Sequence, residues 1–155
     1  MAIAILMIGL VAVMQWFPLG TAGVETGRRQ STGVFLAEQK IEQIKAWGLS
    51  TAATQGFANV APGGTCYTSV NPRGPCNNDN FNTIAGYPEY QRTVILQCLT
   101  TALPPNPAFT VVGPPCPATS TARLARVQIQ YRRVTTQGVL TAGQQVDIAT
   151  VIAQH

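Results

Sequence analysis

The stretch MAIAILMIGLVAVMQWFPLGTAGV, residues Met1–Val24, carries no charged side chain, and Glu25 is the first. From Met1 to Phe17 only Gly9 and Gln15 interrupt the apolar run. As a helix rising about 1.5 Å per residue, the uncharged stretch reaches roughly 36 Å, against a hydrocarbon core of about 30 Å. It is therefore long enough to span a membrane, and Trp16 and Phe17 fall where an interfacial aromatic pair belongs. A cleaved signal peptide fits less well, because there is no basic n-region and no small-x-small cleavage site. A buried core helix is the plainer alternative.

Working outward, Pro18, Gly20, Gly23 and Gly27 fall at short intervals. Proline removes a backbone donor and glycine raises the entropy cost of helix, so this stretch is expected to kink or unwind. A second helical signal covers Thr26–Trp47. Val34, Ala37, Ile41 and Ile44 recur three or four apart, Gly48 offers a C-cap, and Glu38, Lys40, Glu42 and Lys45 are read mostly off that stripe. The stripe is expected to pack on a following domain. The chain thus divides into an apolar segment 1–24, an amphipathic segment 25–48 and a head 49–155.

The head begins with turn-rich sequence. Pro62-Gly63-Gly64, Asn71-Pro72-Arg73-Gly74 and Cys76-Asn77-Asn78-Asp79-Asn80 are turn signals. Three strands follow by period-two alternation: Tyr90–Leu99, Arg126–Val134 and Gln145–Ala153. In the second, Val127, Ile129 and Tyr131 share one face and Gln128, Gln130 and Arg132 the other. Thr136-Gln137-Gly138 and Ala142-Gly143 supply hairpin turn chemistry, and a Pro-rich stretch, Leu103–Pro117, separates the first strand from the second.

Composition agrees with this division. Charged residues make up 10% of 155, hydrophobic residues 46%, and the net charge of +4 comes from ten basic against six acidic residues. That is a scarcity of acids, which argues against a dedicated nucleic-acid module. A single histidine, His155, excludes most His-based catalysis and most zinc sites. Four cysteines, Cys66, Cys76, Cys98 and Cys116, with no CxxC pair, point to disulfides in an oxidising compartment. Of three connectivities, Cys66–Cys76 with Cys98–Cys116 is preferred because each closes a short, turn-rich loop; free thiols are the alternative. Arg28 and Arg29 beside the apolar run would put that flank in the cytoplasm by the positive-inside rule, whereas the cysteines place it outside, and the cysteines are given more weight.

Enzymatic constellations are missing from the sequence. There is no GxSxG, P-loop or nucleotide fingerprint, and the six acids form no recognisable catalytic pair. Asn77, Asn78, Asp79 and Asn80 offer several oxygens at close spacing that could bind calcium, but one carboxylate is few for that ion, and an Asn-rich turn is favoured. Arg123, Arg126, Arg132 and Arg133 cluster near one strand and are suited to phosphates or acidic surfaces; a solvated face or intersubunit pairing is the favoured reading. No N-x-S/T acceptor occurs, which leaves O-linked sites among the Thr and Ser residues.

The order of parts resembles the type IV pilins and related pseudopilins. AIAILMIGLVAVMQ, Ala2–Gln15, is similar to the membrane half of the pilin helix, and GRRQSTGVFLAEQKIEQIKAW, Gly27–Trp47, is similar to its extension, particularly in the minor-pilin group. YPEYQRTVIL, ARVQIQYRRV and VDIATVIAQ resemble the family's C-terminal pattern. The family carries a basic leader and a glutamate near the mature N-terminus; no Glu precedes Glu25 here, so either a short mature stretch is expected ahead of Met1 or the chain differs from the family.

The resemblance implies an α+β fold, a long N-terminal helix packed on a small antiparallel sheet. It further implies a structural filament subunit, without catalytic activity, cofactor or metal. Ala2, Ile5, Leu6, Ile8, Leu10 and Val13 would lie in the filament core. Pro18, Gly20 and Gly23 would be the part that unwinds on assembly. Partners would be identical subunits and other pilins, with the bacterial inner membrane before assembly and an extracellular filament, serving adhesion or motility, afterwards. A pseudopilin of a type II secretion system and a membrane-anchored surface or DNA-binding domain are the alternatives.

Overall fold

A computed structural model describes the backbone of residues 2–70, 73–101, 109–135 and 138–154. Side-chain surroundings are described at Met7, Leu10 and from residue 23 onward, apart from 71–72, 101–108, 133–142 and 155. The protein is α+β. One helix, α1 (Ala2–Leu49), precedes a four-stranded antiparallel sheet of β1 (Tyr90–Thr101), β2 (Phe109–Val112), β3 (Ala122–Thr135) and β4 (Gly138–Ala153), in the order β2-β1-β3-β4. Two units are distinguished, Met1–Thr32 and Gly33–His155.

In the first unit the described backbone, from Ala2, is helical, including Pro18, Gly20 and Gly23. The isolated chain is thus helical over this stretch, and the unwinding expected of it belongs to assembly. A proline forfeits only its own donor and strains one turn, and the flanking turns of a 48-residue helix can carry that loss. Glu25 and Arg29 form an i,i+4 ion pair at 2.7 Å. Met7, Leu10 and Val24 are 68%, 55% and 75% exposed. Among the described residues no helix is long and apolar enough to cross a membrane. The side chains of Ala2, Ile5, Leu6, Ile8, Val13 and Pro18, and the surroundings of Gly20, lie outside the described residues.

The second unit holds the core. Ala37, Ile41 and Ile44 are buried as their spacing predicts, Val34 is half-buried, and Gly33 and Leu36 complete the stripe. Gly33 brings the helix close to the sheet: a Cβ there would sit 3.4 Å from Val146 Cγ2 and 3.6 Å from Ile129 Cγ2. The sheet answers with Val94, Leu96, Val127, Ile129, Tyr131 and Ile152, and Tyr90 packs on Tyr131 with ring centroids 5.6 Å apart. Gly48, expected as the C-cap, is the penultimate helical residue; the chain then turns so that Gly56 N–H donates to the Trp47 carbonyl at 2.9 Å.

Two strand expectations change. Within the Pro-rich separator, FTVV forms β2 and pairs Cys98↔Val112 through Thr101↔Phe109 at the sheet edge. These four residues are the β-favouring, donor-complete window between prolines, and an edge place suits proline on either side. Ala142-Gly143 is not a turn but lies inside β4, where the β3–β4 register shifts between Tyr131 and Arg133. An added Cβ at Gly143 would stand 3.1 Å from the Tyr131 carbonyl oxygen, so the glycine serves a bulge. Thr136 and Gln137 lie outside the described residues, and Thr135 pairs with Gly138 across them.

Both disulfides take the preferred pairing. Cys66–Cys76 and Cys98–Cys116 have Cα–Cα distances of 5.1 and 5.5 Å, and there are no free cysteines among the described residues. Gly74 folds so tightly beneath the Cys66 carbonyl that no Cβ fits there. The second bridge ties β1 to the segment that follows β2.

Candidate functional site

The most heavily charged interior point of the head is built on Asp79. Its backbone makes a two-bond bridge with Arg92, Asp79 N–H to the Arg92 carbonyl at 2.9 Å and Arg92 N–H to the Asp79 carbonyl at 2.8 Å. Asn78 Oδ1 accepts from Val94 N–H at 2.8 Å, which extends the alignment along β1. This places the Asp79 carboxylate between the helix and the strand. Lys40 Nζ and Arg92 Nε both donate to its Oδ2 at 2.8 Å, and Arg73 Nη1 stands 3.6 Å from Oδ1. Arg92 Nη1 also donates to Gln39 Oε1 at 3.3 Å.

Lys40, Asp79 and Arg92 are 4%, 7% and 9% exposed, so these charges are held away from water. The members respond differently to burial. Burial pushes the Lys40 ammonium below its ordinary range, outweighing the attraction of Asp79, and Arg92 and Arg73 act in the same downward sense. Burial also favours the neutral Asp79 carboxyl, but the hydrogen bond and charge of Lys40, with Arg92, outweigh it and hold the group below the usual carboxylate range. The carboxylate remains ionised at neutral pH and is committed to the cations, not available as a base.

A groove of about 590 Å³ opens over the cluster. Lys40, Arg73, Asp79 and Arg92 line it with Gln43, Ser50, Gln55 and Trp47. The Trp47 indole Nε1 is buried, and among the described residues it has no hydrogen-bond partner.

Sequence reasoning placed Lys40 off the apolar stripe, and this is corrected: it lies on it. The position is three after Ala37 and four before Ile44, so spacing alone put it inward, and its charge obscured that. Arg92 was legible in the same way, because it shares strand parity with Tyr90, Val94, Leu96 and Cys98, all buried. Nothing local pointed from either residue to Asp79, which lies 39 positions from Lys40.

Asp79 is also where calcium had been considered. Its carboxylate faces three cations instead, and Asn77 Nδ2 donates to the Thr68 and Gly74 carbonyls at 2.6 and 3.0 Å. Among the described residues no three His, Cys, Asp or Glu side chains come together as a metal site would need.

The described arginines on β3 do not share one surface. Arg123 is buried, 4.5 Å over the Phe57 ring, with its Nη1 donating to the carbonyls of Ser120 at 3.1 Å and Ala122 at 3.2 Å and to Ser120 Oγ; burial lowers its pKa. Arg126 is exposed and pairs with Asp147, Nε to Oδ2 at 2.7 Å. The Arg132 guanidinium lies 4.0 Å over the Phe81 ring. The Arg133 side chain is outside the described residues.

Comparison with known proteins finds no matching family model, no curated relative and no similar solved structure.

Proposed function

We propose that this chain is a structural subunit of a type IV pilus or a pilus-like filament, a pilin in fold, without catalytic activity. Residues 1–24 would be held in the inner membrane before assembly and among copies of themselves in an extracellular filament afterwards. The observation that carries the reading is the contrast between the two parts of α1. From Gly33 onward the helix buries Leu36, Ala37, Ile41 and Ile44 in the head core, whereas Met7, Leu10 and Val24 are exposed. Large apolar side chains repeated along an exposed helix call for lipid or another helix. Two disulfides in the head fit an oxidising exterior.

On this reading, Leu10→Lys places a charge where neighbouring helices meet and removes the chain from surface filaments. The head should keep its stability, because residue 10 belongs to the other unit. The test is to shear filaments from cells carrying the variant, with urea unfolding of the same purified variant as the control. Filaments that still contain the variant at the normal level would oppose the reading.

A further inference from the structure

The groove over Asp79 carries more positive charge than its own carboxylate can neutralise. Three cations, Lys40, Arg73 and Arg92, line it with one anion, and no other acidic side chain is among the described lining. Asp79 uses one oxygen for both Lys40 and Arg92, Arg92 Nη1 donates to Gln39 and Arg73 Nη2 to the Asn78 carbonyl, so the three cations share neutral acceptors and a single carboxylate. On the same wall the buried Trp47 Nε1–H has no acceptor among the described residues. A groove lined by three cations and one carboxylate is arranged for an anion that comes from outside the chain.

We propose that this groove binds a phosphate monoester carried on a molecule of about hexose size. A phosphate monoester bears close to two negative charges at neutral pH, equal to the excess of the lining, and offers three acceptor oxygens. Arg73, half-exposed, supplies a guanidinium suited to such oxygens, and Arg92 and Lys40 behind it add positive charge. Gln43, Ser50 and Gln55 provide amide and hydroxyl partners for a polar body, with Trp47 as an apolar wall. The groove's roughly 590 Å³ falls within the about 300–1,000 Å³ of small-molecule sites. A carboxylate, a sulfate ester or a phosphodiester headgroup brings one charge and leaves one cation uncompensated. The inference rests on head geometry alone and stands apart from the filament reading.

The chain has two tryptophans, so a ¹⁵N-labelled full-length sample in a non-ionic detergent gives two indole N–H resonances, Trp16 and Trp47, assigned with Trp16→Phe. Titration with glucose 6-phosphate should move the Trp47 resonance to saturation and leave that of Trp16 in place. Arg73 is half-exposed, so Arg73→Gln should preserve the spectrum of the head while weakening binding by about fivefold or more. Glucuronate and glycerophosphocholine, each with a single anionic group, should bind at least about tenfold more weakly, and inorganic phosphate should bind more weakly than the sugar phosphate. The proposal is overturned if glucose 6-phosphate up to about 10 mM leaves Trp47 unmoved, if glucuronate or glycerophosphocholine binds equally well, or if Arg73→Gln changes nothing.

Discussion

Asp79→Asn is expected to cost the head about 3–5 kcal/mol, the loss found when one partner of a buried ion pair is removed. The asparagine fills the same space, but Lys40 and Arg92 remain at 4% and 9% exposure with their counter-charge gone. For a unit of this size the loss corresponds to a fall in melting temperature of roughly 10 °C or more. The purified chain in non-ionic detergent, unfolded by heat or urea and followed by circular dichroism, gives the measurement. A change near the about 0–1 kcal/mol of a surface pair would show that the cluster is effectively solvated. A triple replacement, Asp79→Asn with Lys40→Met and Arg92→Leu, should recover much of the loss because no buried charge is left unpaired.

The same cluster sets a pH dependence. Because Asp79 has a folded pKa below its unfolded value, it contributes stability above about pH 4, and that contribution is lost as pH falls through the folded value. Lys40 acts in the opposite sense from a stabilising cation: its folded pKa lies below the unfolded one, so the folded state binds fewer protons between the two and stability declines as pH drops through that interval. Neutral solution lies above the Asp79 step. Acid melting that is steep in the wild-type head should be flatter in Asp79→Asn.

Removing the disulfides is the second large effect. The Cys98–Cys116 bridge spans 18 positions and the Cys66–Cys76 bridge spans 10. Loop-closure entropy gives about 3 kcal/mol for the longer and somewhat less for the shorter, both acting mainly by constraining the unfolded chain. Cys98→Ser with Cys116→Ser should therefore lower the unfolding free energy by about 3 kcal/mol, and reduction of both bridges by about 5–6 kcal/mol. The urea midpoint should fall further with both bridges reduced than with one removed. Midpoints unchanged by reductant would contradict this account of the head.

Much of the fold could be read from spacing. Val34, Ala37, Ile41 and Ile44 located the packed half of the helix, and alternation at Val127, Ile129 and Tyr131 fixed the inward face of β3. Short turn-rich loops indicated the cysteine pairs. Where reading failed, residue type had been weighed above position. Lys40 occupies an inward position by period, yet its charge suggested solvent; the missing fact was Asp79, supplied from a distant turn. Four residues between prolines became β2 because pairing with β1 satisfies a short edge, a tertiary effect no local pattern contains. Gly143 marked a bulge instead of a turn for a similar reason: the register against Tyr131 is set by the partner strand. At Pro18, Gly20 and Gly23 local propensity points to a kink or unwinding, and the isolated chain is helical there.

The filament reading is tested most directly on filaments themselves. Surface filaments sheared from the native cells should contain this chain by mass spectrometry, and a helical reconstruction should place residues 1–32 of successive copies together at the axis with the disulfide-bonded heads outside. Filaments that lack the chain, together with a full-length protein that purifies as a monomer without detergent, would contradict it.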